Sequence, residues 1–402
     1  MTREILFLAH RIPFPPDRGD KIRSWHMLKR LGRSARVHLA CFADDEADAA
    51  QLPALREAMQ GALGEAHVEI RRTAKAVAAA RALLERRAVS LAAFDSPALR
   101  AFARRIAAER DLAAVFAFSG QMAQFVPAGP RFVMDFVDMD SAKFEAYAET
   151  GPAALRWMMR READKLFAFE RATAARAQAS LFVSEAEAAL FRSRTGLAGV
   201  HAVSNGIDVD FFDPDADFPR LPGEERGEGP LLLFTGQMDY RPNVEAVAAF
   251  ARDVLPELPG VRFAVAGRKP APEVLALRDR GVTVTGEVAD IRSWLAAADI
   301  VVAPLGIARG IQNKVLEAMA MARPVVASPA AVEGIEAEPG RDLMLAAPGE
   351  QAAAIRHLLA HPSRARAMGL AARRRMESAY RWDARLAGLE GIVFPAARRA
   401  AA

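Results

Sequence analysis

The stretch GIQNKVLEAMAMARPVV, residues 310–326, decides the fold class. It predicts a loop opened by Gly310, a short helix with Val315, Met319 and Ala322 on one face, a stop at Pro324 and then a buried strand. A strand, a glycine turn and a helix that leads back to a parallel strand form the repeating unit of doubly wound α/β domains. The stretch therefore predicts a parallel sheet.

Short apolar runs alternate with alanine- and arginine-rich helical stretches along the rest of the chain, which predicts repeated βαβ units. The predicted strands are 5–9, 37–42, 113–118, 132–136 and 180–183, and then 231–235, 262–266, 282–285, 300–303 and 325–328. The segment 208–229, rich in Asp, Pro, Gly and Glu, separates the two series. We expect an N-terminal domain over 1–204, a C-terminal domain over 205–376, and a C-terminal helix over 377–402 that packs back toward the N-terminal domain.

Composition narrows the class of protein. The 402 residues are 52% hydrophobic and 26% charged, which fits two globular domains. The single cysteine, Cys41, and the lack of a signal-peptide pattern or a long apolar run favour the cytoplasm. The net charge of +4 favours anionic partners, but no nucleic-acid-binding motif is present, so we expect no nucleic acid partner.

The start of the helix after Gly310 has the chemistry of an anion site. Its first turn exposes backbone N–H groups at the positive end of the helix dipole, and glycine lets a phosphate approach them. Lys314 can add a positive charge, and Glu317 can accept hydrogen bonds from vicinal hydroxyls such as those of a ribose. The alternative is a surface ion pair between Lys314 and Glu317.

The same stretch resembles the donor-binding segment of family 4 retaining glycosyltransferases of the GT-B fold. The resemblance extends to VSNGID at 203–208, to FTGQMDYRPN at 234–243 and to IPFPPDRGDKIRS at 12–24, and covers nearly the whole chain in the family's order. It implies two Rossmann-like, doubly wound parallel-sheet domains that face a central cleft. It also implies retaining transfer of a sugar from a nucleoside diphosphate sugar to a saccharide or lipid-linked acceptor, without a metal or other cofactor.

Within the family, HRIPFPPDRGDKIRSWHMLKRL, DFVDMDS and GIQNKVLEAMA are similar to a subgroup associated with bacterial exopolysaccharide loci of the PEP-CTERM/exosortase type. Two positions depart from the family pattern. Arg309 stands where many members have a glutamate that contacts the transferred sugar, and Gln237 stands where many have an arginine after Gly236. Both departures leave open which sugar is recognised and which cation binds the phosphate.

The glycine turns, the charges near them and the resemblance together give the candidate site residues, for which a surface or capping role is the alternative. The donor-binding candidates are Gly236, Asn243, Gly267, Arg268, Arg309, Gly310, Ile311, Gln312 and Glu317. The catalytic candidates are Lys314, Arg241 and Asp138. The acceptor-binding candidates are Gly19, Asp20, Arg23, Ser119 and Asp140.

The N-terminal candidates include acids at the end of one predicted strand: Asp135, Asp138 and Asp140. An Asp-x-Asp pair can bind a divalent metal, but the second Rossmann half already supplies a nucleotide site, so we expect no metal. Members of the family often carry a histidine in this pocket, and none lies near Ser119 or Asp138. His10, directly after the first strand, is expected to be structural.

Two stretches, 71–87 and 155–169, place basic residues beside large apolar ones and can bind an anionic membrane surface or be ordinary solvated helix faces. Two other functions remain open, and a third is disfavoured. A nucleotide-sugar 2-epimerase has the same fold, and a catalytically idle nucleotide-sugar-binding protein is compatible with Arg309. A dinucleotide oxidoreductase is disfavoured because no Gly-x-Gly-x-x-Gly follows the first strand.

Overall fold

The computed structural model describes residues 3–149, 152–308 and 310–395. The chain forms two compact units, which divide between Ser204 and Asn205 and again between Arg385 and Leu386. The first division falls where the sequence places it. At the second, residues 377–385 belong to the C-terminal unit, and the chain returns to the N-terminal unit later than expected.

The N-terminal unit is built on a parallel sheet of seven strands in the order β3-β2-β1-β4-β5-β6-β7. Its middle strands are rich in Ile, Leu, Val, Phe and Ala, which are almost wholly buried because helices cover both faces. The strands are β1 Arg3–Ala9, β2 Ala35–Ala43, β3 Leu63–Ile70, β4 Leu112–Phe118, β5 Phe132–Val137, β6 Ala179–Phe182 and β7 Val200–Ala202.

The helices of this unit follow the strands as crossover connections. They are α1 Gly19–Gly32, α2 Glu46–Ala49, α3 Leu52–Ala58, α4 Lys75–Leu84, α5 Val89–Ala92, α6 Pro97–Glu109, α7 Asp140–Tyr147, α8 Ala153–Arg176 and α9 Glu185–Thr195, with a 3-10 helix at Gly120–Phe125. No described helix is long and apolar enough to cross a membrane.

The C-terminal unit repeats the arrangement with a parallel sheet of six strands in the order β10-β9-β8-β11-β12-β13. The strands are β8 Leu231–Thr235, β9 Arg262–Ala266, β10 Thr283–Gly286, β11 Ile300–Ala303, β12 Val325–Ala327 and β13 Met344–Leu345. The helices are α10 Gly223–Arg226, α11 Arg241–Ala249, α12 Pro272–Leu275, α13 Ile291–Ala297, α14 Asn313–Ala320, α15 Gln351–Ala360, α16 Pro362–Ala379 and α17 Trp382–Arg385.

Both sheets reverse their strand order beside the first strand of the unit, between β1 and β4 and between β8 and β11. In doubly wound domains, ligands bind outside the carboxyl ends of the strands at this switch point. The loops after β1, β4 and β5 in one unit, and after β8, β9 and β11 in the other, therefore hold the candidate residues.

All ten predicted strands are present, and three more were missed: β3, β7 and β13. Each missed strand lies at the edge of its sheet. β3 mixes polar with apolar residues, and β7 and β13 have only three and two residues, so none forms the apolar run by which a buried strand is recognised.

The expected single C-terminal helix is instead broken among the described residues. α16 ends at Ala379, α17 follows, and a last helix, α18 Leu389–Val393, packs in the N-terminal unit. Tyr380 is fully buried, and its hydroxyl accepts a hydrogen bond from the backbone N–H of Glu336 at 2.6 Å. This burial keeps Tyr380 in the C-terminal unit and interrupts the helical run.

Candidate donor-binding and acceptor-binding sites

Two glycines at the ends of β8 and β9 let the backbone approach closely. Gly236 has φ +151°, and a Cβ there would lie 2.8 Å from Asn243 Nδ2 and 3.1 Å from Lys314 Nζ. Gly267 has φ +154°, and a Cβ there would lie 1.6 Å from the carbonyl oxygen of Gly236. A side chain at Gly267 would collide with the backbone, and one at Gly236 would displace Asn243 and Lys314, so the two predicted glycine turns have a steric cause.

Lys314 is a buried lysine of the C-terminal unit. Its Nζ donates to Asn243 Oδ1 at 2.6 Å and lies 4.0 Å from the centre of the Phe234 ring, and the residue is only 8% exposed. Among the described residues no carboxylate lies within ion-pair distance of it. Burial lowers the pKa of Lys314 to about 7, against the opposing charge of Glu317. The predicted surface ion pair with Glu317 is therefore not the arrangement seen.

Lys314 lies in the first turn of α14, whose N-cap is Gln312. The first hydrogen bond of the helix runs from the N–H of Val315 to the carbonyl of Gln312 at 2.9 Å. The earlier N–H groups of a helix have no acceptor within it and carry the positive end of its dipole. An anion placed there meets these donors and the Lys314 ammonium group together.

Glu317 lies one turn further along α14 and is half-buried. Burial raises the pKa of Glu317 to about 7, although the charge of Lys314 opposes this. The carboxyl group can therefore accept or donate a hydrogen bond near neutral pH. This is the behaviour expected of a group that contacts ligand hydroxyls.

The remaining donor candidates lie in the same loops with different degrees of support. Gly310 has φ +65°, Ile311 is buried, and the Arg268 carbonyl accepts from the N–H of Met238 at 2.9 Å. Arg241 is exposed, and its Nε donates to Glu245 Oε1 at 2.7 Å on the surface of α11. The predicted role of Arg309 lies outside the described residues.

In the N-terminal unit, strained backbone marks the ends of the neighbouring strands β4 and β5. Ser119 has φ +74° and Val137 has φ +70°, although neither is a glycine. The N–H of Val137 donates to Asp135 Oδ1 at 3.0 Å, and that of Ser119 donates to the Asp135 carbonyl at 2.8 Å. Backbone of this kind costs energy and concentrates at functional sites.

Asp138 follows this strained turn. Burial, and secondarily the charge of Glu187, raises the pKa of Asp138 to about 7. Its Oδ1 is buried, and none of the described residues hydrogen-bonds to it. A carboxyl group with an unsatisfied oxygen at a strand end can hydrogen-bond to a hydroxyl of a ligand.

Ser119 and Asp140 are joined by a short chain of side chains. The Ser119 hydroxyl donates to Gln121, and Gln121 Nε2 donates to Asp140 Oδ2 at 3.3 Å. Lys143 Nζ donates to the other oxygen, Oδ1, at 2.5 Å. The structure thus brings Ser119, Asp138 and Asp140 to one edge of the sheet, and Gln121 is an addition that the sequence analysis missed.

Gly19 begins α1, and Asp20 beside it is held by His10 and arginines. Asp20 Oδ2 accepts from His10 Nε2 at 3.0 Å and from Arg11 Nη1 at 2.6 Å, and Arg18 Nε lies 2.8 Å from Oδ1. Burial opposes ionisation of Asp20, but these partners outweigh it and hold its pKa far below the usual range. The ion pairs account for Asp20 without a ligand.

Arg23 is also held within the fold. It is 1% exposed, and its Nε and Nη2 donate to the two carboxylate oxygens of Asp135 at 3.0 and 3.1 Å. Its Nη1 donates to the carbonyl of Val203 at 2.7 Å. This bidentate ion pair fixes the end of β5, so Arg23 acts on the acceptor candidates by positioning them.

Asn205 supports the start of α14, a role that the sequence analysis did not predict. Asn205 Nδ2 donates to Asn313 Oδ1 at 3.1 Å and so braces the first residue of α14. The backbone of Trp382 lies 2.7 Å from where a Cβ on Gly206 would be, which fixes the following residue. The VSNGID motif carried the signal for this brace, because an Asn-Gly pair after a strand indicates a specific turn.

The described residues contain no group of three His, Cys, Asp or Glu side chains arranged to hold a metal ion.

The sequence of residues 229–361 matches the family model described as Glycosyl transferases group 1. The match lies within the C-terminal unit, and the matched segment includes every donor-binding candidate. No curated protein sequence matches the chain.

Solved structures match nearly the whole chain. Sucrose-phosphate synthase from Thermosynechococcus elongatus is 15% identical, with a TM-score of 0.71 over 97% of this chain and 98% of that one. Anabaena Alr3699/HepE in complex with UDP and glucose is 16% identical, with a TM-score of 0.69 over 98% and 99%. WaaG, a glycosyltransferase involved in lipopolysaccharide biosynthesis, is 16% identical, with a TM-score of 0.65 over 97% and 99%. The predicted GT-B fold class, with two parallel-sheet α/β domains, is confirmed.

Proposed function

We propose that this protein is a family 4 glycosyltransferase that moves a sugar from a nucleoside diphosphate donor to a saccharide or lipid-linked acceptor with retention of configuration. The observation that carries the proposal is Lys314: a buried cation without a carboxylate partner among the described residues, at the start of a helix and beside the close turn at Gly236. Such a group is stabilised when a diphosphate occupies the site.

In the proposed reaction, the bond between the anomeric carbon and the β-phosphate oxygen breaks, and the acceptor oxygen forms the new bond to that carbon. Lys314 and the N–H groups of α14 stabilise the charge that develops on the departing diphosphate. Arg241 adds charge after it exchanges Glu245 for phosphate, and Glu317 binds the ribose hydroxyls. The proton of the acceptor hydroxyl leaves with the diphosphate, so the scheme needs neither a protein nucleophile nor a metal ion.

The N-terminal unit binds the acceptor in this proposal. Asp138 accepts a hydrogen bond from an acceptor hydroxyl through its unsatisfied Oδ1, and the chain from Ser119 to Asp140 presents further polar groups. Sequence similarity to the exopolysaccharide-associated subgroup supports a polysaccharide precursor as the product. HepE, whose structure holds UDP and glucose, supports the donor class.

The test combines a thermal-shift screen of nucleoside diphosphate sugars with a transfer assay on the best donor. We expect the Lys314→Ala variant to remain folded and to lose at least about a hundredfold in turnover, the size expected for removing one charge-stabilising group. The anomeric configuration of the product, read by NMR, checks retention, and excess EDTA should leave the rate unchanged. Near-normal turnover by Lys314→Ala contradicts the proposal.

Two other outcomes favour the alternatives. Conversion of the donor to an isomeric nucleotide sugar without any acceptor indicates a 2-epimerase. Donor binding without hydrolysis or transfer, over a broad set of saccharide and lipid-linked acceptors, indicates an idle binding protein, for which the sequence feature is Arg309.

A further inference from the structure

The exposed large hydrophobic residues described in the N-terminal unit are confined to two helices, α4 and α8. Among its described residues, the large hydrophobic side chains that stand exposed are Val77, Leu83, Leu84, Trp157 and Met158. All five lie in α4 or in the first two turns of α8, and Leu84 is 86% and Trp157 63% exposed. We call these five residues the α4–α8 surface.

The two helices are tied together where these residues lie. Arg161 Nη2 on α8 donates to the carbonyl of Ala82 near the end of α4 at 2.9 Å. The next residue, Glu162, accepts from the N–H groups of Val89 and Ser90 at 2.7 and 2.8 Å, and so fixes the turn that follows α4. The end of α4, which carries Leu83 and Leu84, is thereby tied to Arg161, one helical turn after Trp157 on α8.

The surroundings of the α4–α8 surface are strongly basic. Residues 71–87 contain six basic residues and one acid, and residues 152–161 contain three arginines and no acid. Arg72, Arg86 and Arg160 are exposed, and no described acid pairs with them. These two short segments exceed the net charge of +4 of the whole chain, so the excess positive charge is concentrated beside the apolar residues.

Some residues of the two basic stretches, 71–87 and 155–169, instead make contacts within the N-terminal unit. Arg71 donates to Asp44 at 3.3 Å and lies over the Phe94 ring, within the unit. Phe167 and Phe169 pack against the hydrophobic core. The exposed apolar residues are therefore fewer than the sequence pattern suggested and lie on two helices that the Arg161 hydrogen bond links.

We propose that the α4–α8 surface binds an anionic phospholipid membrane. Trp157 between two arginines suits the boundary between headgroups and acyl chains, because its ring is amphipathic and arginines extend toward phosphates. The apolar residues supply partitioning and the basic ones supply attraction to anionic lipid. This proposal rests on the proposed function in one respect only, which is that membrane binding brings the enzyme to a lipid-linked acceptor.

The experiment measures binding of the full chain to vesicles of phosphatidylcholine alone or with about 30 mol% phosphatidylglycerol, without any donor. We expect binding to the anionic vesicles that weakens as salt rises from about 50 to 500 mM. The double variant Trp157→Ala/Leu84→Ala should bind at least about tenfold more weakly, because two apolar side chains leave the bilayer. The matched control, Leu370→Ala, removes an apolar residue that is 48% exposed on α16 and should bind normally.

Equal binding to both vesicle types, or unchanged binding by the double variant, overturns the proposal. A concentration-dependent dimer that the double variant abolishes, with no vesicle binding by the parent, also overturns it and assigns the surface to a second copy of the chain. Unfolding temperatures verify that each variant is folded. Because no nucleotide is present, the vesicle result is independent of whether the proposed donor chemistry is correct.

Discussion

Binding of a nucleoside diphosphate is expected to weaken as the pH rises above 7. The structure buries Lys314 with an amide oxygen as its hydrogen-bonding partner, and burial lowers its pKa to about 7. A diphosphate binds the ammonium form, so ligand and proton must bind together. At a pH where the free protein has lost the proton, part of the binding free energy is spent on taking it up again.

The size of the effect follows from the protonated fraction. With a pKa of about 7, about a quarter of Lys314 is protonated at pH 7.5 and about one per cent at pH 9. The dissociation constant should therefore rise by about twentyfold over this interval, which corresponds to about 1.8 kcal/mol. The interval lies above the usual titration of a terminal phosphate near pH 6, so the charge of the ligand stays constant.

Unfolding cannot produce the same trend through Lys314. Its pKa is lowered from about 10.5 in the unfolded chain to about 7 in the folded one. Between these values the unfolded state binds more protons, so this group's contribution to stability rises with pH across the window of the measurement. The folded protein becomes a weaker binder while this residue makes it more stable.

Isothermal titration calorimetry at pH 7.5, 8.25 and 9, in buffers with different ionisation enthalpies, measures both affinity and proton uptake. The parent should take up close to one proton per ligand at pH 9. Lys314→Met should bind weakly at every pH without uptake, and Lys314→Arg should keep its charge and show a flat profile. A flat profile in the parent, or the same slope in Lys314→Met, would refute the reasoning.

Two further predictions concern the same loops. Gly236→Ala should lower donor affinity at least about tenfold, because its Cβ meets Asn243 and Lys314. The control is Gly281→Ala, where φ is +77° and an added Cβ would have no atom within 4 Å. It should lower the free energy of unfolding by about 1 kcal/mol and leave the affinity measured by calorimetry unchanged. Equal losses of affinity in the two variants would contradict the steric argument. Glu317→Gln should weaken the binding of a ribonucleoside diphosphate about tenfold and leave the binding of its 2′,3′-dideoxy counterpart unchanged. Equal weakening for both ligands would show that Glu317 does not bind the ribose hydroxyls.

The fold was largely predictable because the middle strands of both sheets are buried on two faces. Continuous apolar runs such as Leu231–Thr235 indicate buried parallel strands when they alternate with helical stretches. The edge strands β3, β7 and β13 escaped because pairing on one side stabilises short or polar segments that show no apolar run. Their position follows from neighbouring strands, which a local pattern does not contain.

The roles of charged residues were harder to predict from the sequence than those of the glycines. A glycine turn is a local requirement, so Gly236 and Gly267 could be recognised from the sequence. Arg241 could not be assigned to phosphate or to Glu245, because a helical pair four residues apart is equally compatible with both. Arg23 shows the same problem over a longer distance, since its partner Asp135 lies 112 residues away. Partners at that separation are brought together by the fold.

The two units bury ionisable groups of opposite charge that the described residues compensate only in part, and this supports a division of labour between them. The C-terminal unit buries an ammonium group, Lys314, with no described carboxylate beside it, which is stable only if an anion or deprotonation relieves the charge. The N-terminal unit buries a carboxyl oxygen of Asp138 without a described donor, beside the strained turn at Val137. The first requires a ligand with negative charge and the second a ligand with a hydroxyl. A nucleoside diphosphate sugar and a saccharide acceptor meet both requirements, whereas an isomerase would need acid and base groups around a single sugar.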